Sequence, residues 1–184
     1  MPKIVATEEQ WIRLGAERFA EGGADALVVE SMAAALKCSK SSFYWYFANR
    51  GEFVRRVVDY WAGKTTRDVM AASSRPKTAE EKISELLQQM FSVTGKGDFL
   101  FYLRRLAERE PEYQPLIDEM EQSRMRFAGE LFMEAGSTAE DAGRKAWLLY
   151  HYYLGWYERH KRTALTREEV QEHAVWLREH LIRR

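Results

Sequence analysis

Along the first sixty residues, apolar positions return every three or four places. Ile12, Gly15, Ala16, Phe19 and Ala20 fall on one face of a helix over 8–21. Met32, Ala33 and Leu36 do the same over 29–36, and Phe43 and Phe47 share a face of a helix that begins just after Ser39. A fourth stripe, Phe53, Val54, Val57, Val58 and Trp61, runs from Asn49 towards Ser73. Helical periodicity continues over 78–95, 98–109, 112–135, 138–162 and 166–183. No segment alternates with period two between hairpin turns, so the pattern predicts an all-α protein of about nine helices.

The punctuation agrees with the period. Thr7 with Gln10, Asn49 with Glu52, Thr78 with Glu81, Ser137 with Glu140 and Thr166 with Glu169 have capping-box spacing, Asn49 being the looser variant. Stop signals stand at Gly22-Gly23, Gly95-Lys96-Gly97, Glu110-Pro111 and Gly136. Ser73-Ser74-Arg75-Pro76 is the best boundary, dividing residues 1–61 (with a helix extending to about 75) from a second domain over 76–184. The fourth helix is long enough to belong to both.

Charge narrows the function only slightly. Lys+Arg and Asp+Glu number 28 each, so the net charge is zero. Residues 1–75 carry 11 basic and 9 acidic groups and the rest 17 and 19, so any affinity for a polyanion must come from local placement. The single cysteine, Cys38, forbids an internal disulfide and fits a reducing cytoplasm. No apolar leader and no run of 18 apolar residues appears, so neither export nor a membrane partner is expected.

The informative stretch is Ser39 to Arg50. On a helical wheel, Phe43 and Phe47 plug inward while Ser41 and Trp45 point away, with Ser42 and Tyr44 on the flanks. Hydroxyls, an indole and a phenol turned outward do not stabilise a short helix, but they suit base edges, phosphates and thymine methyls. Lys37, Cys38 and Ser39 make a three-residue turn between two short helices, which describes a helix-turn-helix closed by the first helix.

The run Phe19-Ala20-Glu21-Gly22-Gly23, then Val29 to Leu36, Ser39 to Phe47, and Asn49-Arg50 resembles the N-terminal domain of TetR-family transcriptional regulators. The resemblance covers about 7–61. It implies that Lys40, Ser42, Tyr44 and Trp45, with Ser41 beside them, face the DNA major groove, and that Arg50 grips a phosphate. Tyr46 stands where the family usually has a His contacting the backbone, and Val28 replaces the usual Thr near the start of the second helix. A phenol can still donate to phosphate. The implied protein is a homodimeric, ligand-responsive regulator, most often a repressor, on a palindromic double-stranded operator.

Beyond residue 76 the resemblance is one of architecture. The helix over 138–162 is apolar nearly all round, which requires burial on more than one side. The family pairs its last two helices across a dimer, which implies an interface of Tyr153, Gly155, Trp156, Ala174, Leu177 and Leu181. Trp61, Met90, Phe91, Phe99, Tyr102, Leu103, Trp147, Tyr150 and His151 are candidates to enclose a small apolar or aromatic effector, since bundles place ligands between facing helices.

Catalytic signatures are missing. No Gly-rich phosphate loop, nucleophile elbow or H-E-x-x-H spacing appears, and no cofactor is expected. His173 and His180, two turns apart, are a weak metal signal. The rival readings are a TetR-like dimer without operator binding and a helical-bundle carrier or enzyme.

Overall fold

The computed structural model describes residues 6–92, 97–161, 163 and 165–182. Among these the regular elements are helical: α1 (Glu8–Gly22), a 3₁₀ turn (Gly23–Ala26), α2 (Val29–Ala35), α3 (Ser41–Tyr44), α4 (Arg50–Ser73), α5 (Ala79–Phe91), α6 (Phe99–Arg109), a 3₁₀ turn (Pro111–Tyr113), α7 (Gln114–Glu134), α8 (Ala139–His160) and α9 (Arg167–Ile182). Helix ends expected at 95, 162 and 183, and the stop at Gly95-Lys96, lie outside the described residues. No helix among the described residues is long and apolar enough to cross a membrane.

Local rules set the starts. Thr7 and Gln10 form a complete capping box, as do Thr78 with Glu81 and Thr166 with Glu169. At α4 the Asn49 amide oxygen accepts from the Glu52 N–H at 2.9 Å, while the Glu52 carboxylate reaches Ala48 N–H. One start is displaced by a residue: Thr138, not Ser137, caps α8 by accepting from Asp141 N–H at 3.2 Å. Ser137 Oγ accepts from Lys145 instead, because Ser137 still belongs to the end of the α7 turn, its N–H bonded to the Phe132 carbonyl.

The chain forms two compact units, and their division departs from the expected one. The first unit comprises Met1–Lys64 and Gly97–Ile117; the second comprises Thr65–Lys96 and Asp118–Arg184. Residues 97–117, expected in the second domain, pack with α1 because α6 brings Phe99, Leu103, Leu106 and Ala107 into the core around Phe19. The Phe99 ring lies 4.3 Å from Phe19 and stacks on Trp61 at 4.2 Å.

Two glycines allow that docking. Gly23 and Gly97 both sit at positive φ, and a Cβ on Gly97 would lie 2.6 Å from the Ala20 carbonyl. The Asp98 N–H donates to that carbonyl at 2.8 Å, and the Tyr102 hydroxyl donates to Glu21 O at 3.0 Å. The end of α1 is thereby bonded to the start of α6. At Gly15 the reason is packing: an added Cβ would stand 2.6 Å from Val57 Cγ2 and 2.7 Å from Phe53 Cζ on α4. Gly15→Ala should therefore cost about 1–3 kcal/mol by overpacking, read as a lower denaturation midpoint with an unchanged m-value.

The second unit has its own core of Ile83, Leu86, Leu87 and Phe91 from α5, Ala128, Leu131 and Phe132 from α7, Ala142, Ala146 and Leu149 from α8, and Val170, Ala174, Leu177 and Leu181 from α9. Polar links trim its edges: Arg124 donates to the hydroxyls of Thr65 and Thr66, and Arg178 to Ser84.

Candidate nucleic-acid interface

The head is built on four rings. Trp11, Phe43, Phe47 and Phe53 are fully buried, with Phe43 lying 5.3, 5.0 and 5.1 Å from the other three in edge-on or tilted contacts. α2 stops because Lys37 takes φ +53 and Cys38 N–H returns to the Ala33 carbonyl, closing the helix end. The chain then re-enters a helix at Ser41. α3 is shorter than its pattern suggests, ending at Tyr44, because its first bonds are three-residue ones (Ser42 N–H to Ser39, Phe43 N–H to Lys40) and Tyr46 N–H closes on Phe43.

That tighter winding changes the faces. Tyr44 and Trp45 stand 62% and 67% exposed, the most open large apolar side chains among the described residues of this unit. Ser41 is exposed, its hydroxyl 2.6 Å from that of Ser39. Ser42, expected to face DNA, is buried instead: Trp11 Nε1 donates to its Oγ at 3.2 Å, and that hydroxyl donates to the Ala6 carbonyl. The reason is that Trp11 has an indole N–H to satisfy inside an aromatic core. Tyr46 is half-buried and packs against the same core, its ring 6.2 Å from Phe47.

The two cations of the site are both engaged. Lys40 Nζ donates to Glu30 Oε1 at 2.9 Å, a pair exposed on both sides. Hydrogen bonding to Lys40 holds the Glu30 carboxyl below the usual carboxylate range, and the Lys40 ammonium is raised by the same bond. Arg50 donates to the Ala24 carbonyl and lies 3.7 Å from Asp25, so its guanidinium closes the 3₁₀ turn after α1. Neither pairing was legible from spacing, since the partners are separated by 10 and by 25–26 residues.

The other expected sites distribute differently. Of the effector candidates, Trp61, Phe99, Tyr102 and Leu103 belong to the first unit's core or its edge, whereas Met90, Phe91 and Tyr150 belong to the second. Trp147 is 57% exposed, with His151 stacked on it at 4.1 Å. The nine therefore do not share one core, because α6 belongs with α1. Of the dimer candidates, Ala174, Leu177 and Leu181 are buried inside the second unit, chiefly where α9 packs on α5. Tyr153 and Trp156 are half-buried beside Phe91, and Gly155 faces open space. The outward apolar groups of the last two helices are Trp147, Leu148, Tyr152 and Trp176.

Among the described residues, no group of three or more His, Cys, Asp or Glu side chains could hold a metal ion. His173 and His180 are occupied by separate stacks: His173 lies between Tyr152 and Trp156, and His180 lies on Trp176, its Nδ1 donating to the Trp176 carbonyl.

Three helices around an aromatic core, with the short third one turning Tyr44 and Trp45 to solvent beside Lys40, define a helix-turn-helix protein. Residues 12–57 match the family described as bacterial regulatory proteins, tetR family. The chain as a whole has the fold of TetR-family regulators. It is similar to the TetR-family transcriptional regulator of Cytophaga hutchinsonii (16% identity, TM-score 0.72, covering 95% of this chain and 90% of that one). It is also similar to the transcriptional regulator FadR of Bacillus subtilis in complex with stearoyl-CoA (16%, 0.66, 96% and 98%). A third similar structure is AibR in complex with isovaleryl coenzyme A and operator DNA (15%, 0.65, 91% and 95%). No curated protein matches the sequence.

Proposed function

We propose that this protein is a homodimeric transcriptional regulator, a repressor as most proteins of this type are, that binds a palindromic operator and whose operator affinity is altered by a small, mainly apolar effector. The observation that carries the reading is the exposure of Tyr44 and Trp45 on a helix whose next residue on each side, Phe43 or Tyr46, is packed into the core. Solvent gives such a surface no stability, whereas a major groove offers acceptors and methyl groups to both rings. The test is titration of the chain onto a labelled duplex covering the upstream region of its own gene. Binding that is saturable, salt-dependent and competed by an inverted repeat from that region supports the reading. Equal competition by any duplex removes sequence specificity from it.

Dimer formation is assigned to the outward face of α8 and α9 rather than to their buried stripes. Leu148, Tyr152 and Gly155 fall on one side of α8, and Gly155 has no neighbour that a closely approaching helix would strike. Trp147 and Trp176 add exposed apolar surface on the same two helices. Leu148→Glu should yield monomers that retain their helicity and melting temperature but bind the operator weakly. Leu177→Glu should unfold the second unit instead, because a charge there has no partner in the α5–α9 core. Light scattering beside circular dichroism separates the two outcomes. Half-sites about one helical turn apart, or slightly more, then follow from two-fold symmetry.

The effector site proposed lies in the second unit, where half-buried Val69, Met90 and Phe127 pack against the core. Two proteins of this fold are known in complexes with acyl coenzyme A thioesters, which supports an acyl chain as the class to try first. An effector that acts on DNA binding must change operator affinity by the factor by which operator changes its own affinity. α4, whose residues to Lys64 belong to one unit and from Thr65 to the other, is the element proposed to carry that coupling. A second reading, a dimer without operator binding, is favoured by Tyr46 and by the internal engagement of Lys40 and Arg50. It predicts no saturable binding to any duplex at low salt.

A further inference from the structure

The reading head carries its own anion. Glu30, in the first turn of α2, and Lys40, just before α3, are ten residues apart in sequence yet joined at 2.9 Å across the helix-turn-helix. Both side chains are more than half exposed, at 64% and 58%. Lys40 stands four residues before the exposed Tyr44, about one helical turn away, at the start of α3. The Glu30 carboxylate thus takes the ammonium, the kind of donor that a phosphate oxygen uses on a protein.

We infer that the Glu30 carboxylate is a resident substitute for a DNA phosphate, which duplex DNA must displace from Lys40 when the head docks. The inference rests on the DNA-binding reading above and deepens it by naming the residue that limits affinity for non-cognate duplex. Coulomb's law supplies the reason. Once Lys40 turns to a phosphate, Glu30 is left as a carboxylate facing a polyanion, and the head loses an attraction it had in the free state. A sequence whose bases engage Tyr44 and Trp45 can offset that loss; a sequence that offers phosphates alone cannot. Glu30 therefore lowers the background against which an operator is recognised. It is a positioning and specificity residue, acting through Lys40.

The experiment uses the full chain and a fluorescein-labelled duplex of mixed sequence, with anisotropy followed as NaCl is raised. Four proteins are compared: the wild type, E30Q, K40Q and the double variant. E30Q is expected to bind more tightly, and the gain is expected to exceed by roughly two- to five-fold the gain that E30Q gives in the K40Q background, since an exposed pair couples weakly. The salt dependence of E30Q should steepen by about one phosphate contact, because Lys40 then exchanges solvent ions rather than a tethered carboxylate. Melting temperatures of all four should agree, which separates the effect from a structural one. Binding by the wild type with no gain in E30Q overturns the inference and leaves the DNA reading intact. Equal gains in the two backgrounds also overturn it, by reducing Glu30 to a distant repulsive charge. Failure of both wild type and E30Q to bind any duplex at low salt overturns the DNA reading and this inference together. Binding by E30Q alone supports both and identifies the wild-type head as self-masked.

Discussion

Phe43→Ala is expected to destabilise the first unit by about 3–5 kcal/mol, the range for a large aromatic side chain removed from a closed core. The ring is 1% exposed and touches Trp11, Phe47 and Phe53, on three different parts of the chain. Trp11 is held by its bond to Ser42, and Phe53 lies close against Gly15. The loss is comparable with the whole stability of many small domains. Thermal unfolding followed by near-ultraviolet circular dichroism should show the head melting far below the wild type. A shift of less than a few degrees would mean that the four-ring core is not what holds α3 in place.

The next residue should behave in the opposite way. Tyr44→Ala removes a ring that is 62% exposed, so the melting temperature should stay within about a degree or two of the wild type. Operator affinity, in contrast, should fall by about 1–3 kcal/mol if the phenol meets a base edge or a thymine methyl, and discrimination should relax at that base alone. Trp45→Ala should act similarly at a neighbouring position. Equal loss on all sequences would assign Tyr44 to the backbone, and no loss on any would remove α3 as the reader. The adjacent pair thus separates stability from recognition along one peptide bond.

How much of this was readable beforehand depends on the range of the interactions. Caps and helix starts were legible because a Thr and a residue three places on satisfy each other locally. Phe43 and Phe47 were legible because two apolar residues on one turn have nowhere to go but inward. Ser42 was not, since its burial answers an indole 31 residues away and the first turn of α3 winds more tightly than the wheel assumes. The aromatic stripe of α6 was visible, but nothing in it says that its partner is Phe19 rather than a later helix. The stripe Ala174, Leu177 and Leu181 was equally visible and ambiguous. An intramolecular seam and a subunit interface use the same residues at the same spacing, and only packing on α5 tells them apart.

The course of the chain sets a condition on any exchange of this head between bodies of the same fold. A chimera joined at residue 64 would take Phe19, Val57 and Trp61 to a new body while leaving Phe99, Leu103 and Tyr113 behind. The transplanted piece would arrive with part of its core missing and an oily patch where α6 had been. Three crossovers are needed, near 64, 97 and 117, so that the donated head keeps the return segment that seals it. A single-junction hybrid should aggregate, or should work only where the recipient supplies a matching aromatic helix of its own.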